Sequence, residues 1–242
     1  MDSIKVRNPI SRQKPKECAI LQSNYIPWKG YFDLIGMVDE FILLDDVQFT
    51  RRDWRNRNLI KTPHGLHWLT IPVKVKGNYH QKIKDTEIVD SRWAKNHWKT
   101  ITTYYSRAPY FKEYKDFFQH LYMNSSSKFL SEINYGFLSA LCKLLEFNTP
   151  VRWSMDYHMV DGKTERLVDL CRQVGANAYL SGPLANGYID EDLFAANSID
   201  LKFMDYSGYP EYDQLFPPFE HGVSVIDLIF HEGPNSRKFM KG

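Results

Sequence analysis

Two short apolar runs, Cys18-Ala19-Ile20-Leu21 and Glu40-Phe41-Ile42-Leu43-Leu44, constrain this chain most, because each ends abruptly in polar chemistry. Both have strand length, and Tyr31 to Val38 between them has helical spacing. A strand, a helix and a second strand in that order predict parallel neighbours whose carboxyl ends share one edge. The first run gives way to Gln22-Ser23-Asn24-Tyr25-Ile26-Pro27-Trp28-Lys29-Gly30-Tyr31-Phe32, the second to Asp45-Asp46-Val47-Gln48-Phe49. Open α/β sheets bind ligands outside the carboxyl ends of their strands. These two segments are therefore expected to form one half of a site.

The rest of the chain keeps the same grammar. Arg51 to Lys61 is basic and aromatic, the turn signal Thr62-Pro63-His64-Gly65 follows, and Leu66 to Val73 has β character, which together predict a hairpin. Lys82 to Val89 alternates like a short strand. Residues 91–147 read as helices, interrupted at Pro109 and at Asn124-Ser125-Ser126-Ser127. From Val151 onward strands and helices alternate again, with Gly175 as a helix C-cap. The expectation is a mostly parallel, Rossmann-like α/β sheet with a helical subdomain inserted or packed at its side. One domain over 18–242 would follow a polar, basic leader over 1–17.

Composition bounds the function. A net charge of +2 argues against a nucleic-acid binder driven by bulk electrostatics. No apolar run approaches the roughly 20 residues that span a bilayer. Cys18, Cys142 and Cys171 lie far apart with no CxxC or metal spacing, which fits a reducing cytoplasm. With 15 Tyr, 15 Phe and 6 Trp the chain is rich in rings that serve packing or stack on a sugar or base.

Asp45 and Asp46 are candidates for a general base or a hydroxyl acceptor; a plain turn-forming pair is the alternative. Too few further oxygen ligands accompany them to predict a metal site, and no cofactor is indicated. Arg55, Arg57 and Lys61, with Asn56 beside them, suit a phosphate, since arginine forks grip phosphate bidentately. Trp28 and Tyr31 can stack, and Gln22, Asn24, Tyr25 and Gln48 add polar groups to the same two strand ends. Ser181-Gly182 can offer backbone donors, with Tyr188 close behind. His67, beside Trp68, is the imidazole best placed for acid–base work. Tyr212 and Gln214 add polar groups near the C-terminus, and Asp227 interrupts an apolar helix and needs a partner. Trp28-Lys29-Gly30-Tyr31 also stands where nucleotidylyltransferase-type folds carry a His-x-Gly-His signature, but without either histidine.

Taken together, Gln22 to Phe32, Leu44 to Phe49, Asn56 to Lys61, Leu69 to Val73, Tyr179 to Gly182 and Ser224 to Phe230 resemble the WbqC-like family over about residues 18 to 234. The chain departs from that pattern at Leu21, Ser23 and Tyr209, where the family tends to carry His, Pro and His. The resemblance implies cytoplasmic synthesis of nucleotide-linked sugars, often amino sugars, for bacterial surface polysaccharides such as O-antigen. The leading expectation is a transferase moving an acyl or aminoacyl group from a donor onto the amine of such a sugar. Nucleotidyl transfer or adenylate formation, and a non-catalytic sugar-binding or assembly protein, stand as alternatives.

Overall fold

The computed structural model describes residues 15–242. Five parallel strands form the main sheet in the order β5-β2-β1-β6-β7. They are β1 (Glu17–Leu21), β2 (Glu40–Leu43), β5 (Val151–Trp153), β6 (Ala178–Ser181) and β7 (Asp200–Phe203). Counted along the chain, these strands run 3-2-1-4-5 across the sheet, the order of a Rossmann-like fold, with its topological switch between β1 and β6. The first and second strands pair as their sequence suggests, Ala19 opposite Phe41 and Leu21 opposite Leu43.

Period-2 alternation assigns the faces. Cys18, Ile20, Ile42 and Leu44 pack on α5 (Thr164–Gln173) and α6 (Glu191–Ala196) through Leu170, Cys171 and Phe194. Ala19, Phe41 and Leu43 face the larger core, which takes in α1 (Lys29–Gly36), α2 (Arg92–Tyr105), α3 (Phe111–Met123), α4 (Leu130–Leu144) and α7 (Val225–Glu232). The segment expected as a helical subdomain therefore covers one face of the sheet and shares its core. Gly175 closes α5 at a φ of 68°.

The remaining two strands, β3 (Arg57–Thr62) and β4 (Gly65–Thr70), form the expected hairpin, separate from the main sheet. Gly65 turns it at a φ of 95°. The alternating segment 82–89 is not a strand: Ile83–Asp85 is a single 3-10 turn. Local bonds explain the difference. Lys84 N–H donates to the Asp45 carbonyl, Ile83 N–H to Val47, and the Thr86 hydroxyl to the Lys82 carbonyl, so the backbone groups a ladder needs are already used. The expected leader at residues 1–17 falls outside the described residues up to position 14, and Glu17 already belongs to β1. Among the described residues, no helix is long and apolar enough to cross a membrane, and no His, Cys, Asp or Glu cluster has a metal-binding geometry.

Candidate functional site

The chain leaves β1 through a strained loop. Ile26 sits at a φ of 37°, a region that β-branched residues avoid. Neighbouring elements hold it there. The Asn58 amide on β3 donates to the Tyr25 and Ile26 carbonyls, both at 3.0 Å. Tyr25 N–H reaches the Trp54 carbonyl at 3.0 Å, and Val225 N–H at the start of α7 reaches Pro27 at 2.9 Å. Ser224 N–H bonds to Leu59 on β3 at 2.8 Å, which closes the circuit. Gly30 completes the loop's shape, because a Cβ there would overlap the Trp28 indole.

These three segments enclose a cavity of about 320 Å³ lined by Asn24, Pro27, Trp28, Trp54, Asn58, His221 and Gly222. Its walls are indole and proline, and its polar groups are two amides and one imidazole. Such a ring-lined recess with few polar groups is the ordinary make-up of a small-molecule site. The Asn24 carbonyl oxygen accepts from the Arg55 guanidinium, which also donates to Gln22 Oε1 at 3.1 Å and lies 3.6 Å from the Asp53 carboxylate. Arg55 thereby fixes the Asn24 amide and leaves its N–H pair as the donor toward the cavity.

His221 borders the cavity with its Nδ1 buried and unpartnered. Burial lowers its pKa below the usual imidazole range, and the nearby Lys29 charge lowers it further. Behind it stands the segment Tyr209 to Gln214. Gln214 holds the loop carrying His221 by bonding both to Glu220 O (3.0 Å) and from Glu220 N (2.9 Å). Lys29 is buried with its ammonium 4.6 Å above the Tyr209 ring and 5.6 Å from that of Tyr212, and it donates to the Pro210 carbonyl. Burial brings its pKa down to about 8, against the opposing charge of Asp33.

The sequence-derived candidates separate into three groups. Asn24 and Trp28 line the cavity, Gln22 and Arg55 brace it, and Tyr212 and Gln214 support the His221 side. Arg57 and Lys61 lie on the adjoining hairpin. Arg57 stacks 4.0 Å above the Trp68 ring with its Nε unpartnered, and the buried Lys61 ammonium has no hydrogen-bond partner. Burial lowers the Lys61 pKa, opposed by the charges of Asp227 and Glu220.

The third group stands elsewhere. Asp45 is fully buried and accepts from Ser23 N–H at 2.8 Å and from the Ser131 hydroxyl, and burial raises its pKa despite these bonds. Asp46 lies between Lys82 and Lys84, at 2.8 and 2.7 Å. The Tyr25 hydroxyl is buried between Tyr122 and His97, and that of Tyr31 donates to the Gln22 carbonyl. Gln48 bonds to Tyr79, and Asn56 to Ile71. His67 is exposed on β4 near Tyr104. Ser181 is buried at the end of β6, Gly182 half-buried, and Tyr188 exposed beyond it. None of this third group lines the cavity.

Pro27, Trp54, Asn58, His221 and Gly222 complete the lining, and none of them stands among the candidate site residues expected from the sequence. Trp54 and Asn58 lay inside a segment already notable for its arginines. His221 is a solitary imidazole whose place depends on Gln214 and on β3, and its one local signal is the glycine after it, just before the Ser224 N-cap.

The sequence model of the WbqC-like protein family matches residues 22–239. A protein of Mycobacterium tuberculosis (strain ATCC 25618 / H37Rv), named Uncharacterized protein Rv1507c, is 49% identical over 226 residues, covering 93% of this chain and 98% of the relative. No solved structure matches. The family match runs from the strained loop after β1 through the hairpin to the last turn beyond α7, and so takes in every cavity residue: the chain belongs to the WbqC-like protein family.

Proposed function

We propose that the chain is an enzyme of bacterial surface-polysaccharide biosynthesis that transfers an acyl or aminoacyl group to the amine of a nucleotide-activated amino sugar, held in the cavity beside β1. The observation that carries this reading is the lining itself. Indoles at Trp28 and Trp54 suit the apolar face of a pyranose, and the Asn24 and Asn58 amides border the same recess to meet its hydroxyls. Asn58 already spends its N–H groups on the strained loop, so Asn24 is the freer donor.

His221 is the proton acceptor in this proposal. Its lowered pKa keeps it neutral near pH 7, the state in which an imidazole takes a proton from the amine as it attacks. The amine nitrogen then bonds to the donor's carbonyl carbon, the donor's leaving group departs with the electron pair, and His221 carries the released proton. Asp45 supports the site from outside by tying Ser23, at the end of β1, to α4.

A thermal-shift screen with nucleotide sugars, acyl thioesters and ATP, followed by mass spectrometry of the sugar, tests this reading. A ligand at 100 times its dissociation constant adds about 2.7 kcal/mol of stability. Stabilisation by a nucleotide amino sugar and a gain of acyl mass are expected. Stabilisation by ATP with release of diphosphate would replace the reading with adenylate formation. Sugar binding without turnover under any donor would make the protein a binder.

A further inference from the structure

The cavity is small for the ligand it is assigned. At about 320 Å³ it stands at the lower end of the roughly 300–1,000 Å³ typical of small-molecule sites, enough for one ring but not for a sugar, a diphosphate and a nucleoside. The rest of the ligand must lie outside, and Trp54 marks the direction. Its indole lines the cavity and also faces outward, 5.2 Å from the Trp68 ring at 43°. Both indoles are exposed, at 40% and 39%, and Leu66 beside them on β4 at 46%. Every residue of β4 except Leu69 is exposed. Large rings left in water on a strand with no covering element mark a contact surface.

Charge selects what fits it. The Arg57 guanidinium lies 4.0 Å above the Trp68 ring, held from behind by the Arg52 carbonyl. Its Nε is shut off from solvent with no partner and its Nη2 donates to the Arg52 carbonyl, so Nη1 is the terminal nitrogen left without a protein partner. The order outward from the cavity is therefore a ring-sized recess, an exposed indole, then a second indole carrying an arginine fork. A neutral saccharide chain would use the indoles but not the guanidinium. A nucleoside diphosphate uses both, the base on an indole face and a phosphate oxygen on the guanidinium.

We propose that Trp54, Trp68 and Arg57 form the nucleotide subsite, which takes the base and diphosphate of the ligand while its sugar enters the cavity. This rests on the reading of the cavity as a sugar site, and the experiment separates the two. Isothermal titration of UDP, dTDP, GDP and ADP, of the matching nucleosides, and of free glucosamine is carried out on the wild-type chain and on Trp68→Ala, Trp68→Phe and Arg57→Lys. At least one diphosphate is expected to bind the wild type. Trp68→Ala should weaken it by about tenfold or more, and Trp68→Phe should restore most of that loss. Arg57→Lys, which keeps the charge but loses the fork, should weaken the diphosphate more than its nucleoside. If a diphosphate binds and all three variants stay within about twofold of wild type, the subsite is wrong while the cavity reading stands. If free glucosamine binds but no diphosphate does, the subsite is likewise wrong. If neither class binds, both proposals fail together. Binding of a mixed-sequence single-stranded oligonucleotide more tightly than any diphosphate would make the platform a nucleic-acid surface and overturn the assignment.

Discussion

Asp227 and His221 stand six residues apart, on either side of the α7 N-cap, and their surroundings treat polar groups in opposite ways. The Asp227 carboxylate is fully buried and saturated: it accepts from Tyr105 at 2.7 Å, Tyr212 at 2.8 Å and Gln214 at 2.9 Å, with His231 Nδ1 3.4 Å away. His221 borders a cavity and leaves a ring nitrogen unpartnered. Asp45, bonded to Ser23 and Ser131, belongs with Asp227. The lesson is a division of labour. These two buried carboxylates tie loops to helices, whereas the proposed site leaves recognition to amides, indoles and an imidazole. Substitutions on the first side should move stability, and those on the second should move binding.

The largest effect is expected at Asp227. Asp227→Ala leaves two tyrosine hydroxyls and a glutamine amide without their acceptor, and breaking a buried polar pair of this kind costs about 3–5 kcal/mol. Calorimetry should show the melting temperature falling by about 10 °C for a chain of this size. A change within a degree or two would mean the hub is incidental.

Acid should reveal the next effect. His97 donates from Nε2 to the Thr70 carbonyl and so accepts at Nδ1 from the Tyr25 hydroxyl, which fixes a neutral ring. Burial brings its pKa from the ordinary imidazole 6.5 down to about 4. The unfolded chain therefore binds the proton first, and the contribution of His97 is complete above about pH 6.5 and lost as pH falls toward 4. At 1.36 kcal/mol per unit the loss reaches about 3 kcal/mol. His97→Gln should flatten the slope of stability against pH in that window. An unchanged slope would place the acid sensitivity elsewhere.

Asn58 lies on the boundary between the two classes. Asn58→Ala removes the donors to Tyr25 and Ile26, and an unpaired buried carbonyl costs about 1–3 kcal/mol. It should lower both stability and ligand affinity, measured by urea titration and calorimetric binding. Loss of one without the other would show that the strained loop is not the link between frame and site.

Trp54 should show the smallest stability change. It is 40% exposed, so Trp54→Ala is expected to shift unfolding by about 1 kcal/mol or less while abolishing nucleotide-sugar binding. A large stability loss would make Trp54 part of the frame and remove a wall from the proposed site.

The centre of the sheet was legible because burial writes a short apolar run into β1, β2 and β6, whereas the edge strands β5 and β7 stay half exposed and carry charges. The first two strands and the helices from 91 to 147 could be placed from spacing, and the hairpin from its Thr62–Gly65 turn signal. The segment 82–89 misled because alternation over a few residues does not reveal that its backbone groups are already bonded to the Asp45–Val47 turn. The site was half legible for a related reason. Gln22, Asn24 and Trp28 follow from the end of β1 that they share, whereas Arg55, expected at a phosphate, is bonded to Asn24 and Gln22 instead. The direction in which Asp45 points is decided by Ser131, 86 positions away, and no local pattern carries that information. His221 reaches the cavity through Gln214 and β3, contacts that exist only after folding.

The six tryptophans supply the most direct test of the central claim. Trp28, Trp54 and Trp68 lie in or beside the proposed site, whereas Trp93 and Trp98 pack within the α2 to α4 region and Trp153 stands on β5 against Tyr135. Labelling with 5-fluorotryptophan gives six fluorine resonances, assignable by single Trp→Phe substitutions. Titrating the nucleotide sugar that most stabilises the protein should shift the resonances of Trp28, Trp54 and Trp68 and leave the other three in place. Shifts confined to Trp93, Trp98 and Trp153, or a bound ligand that moves none of the six, would contradict the assignment of the β1 cavity as the functional site.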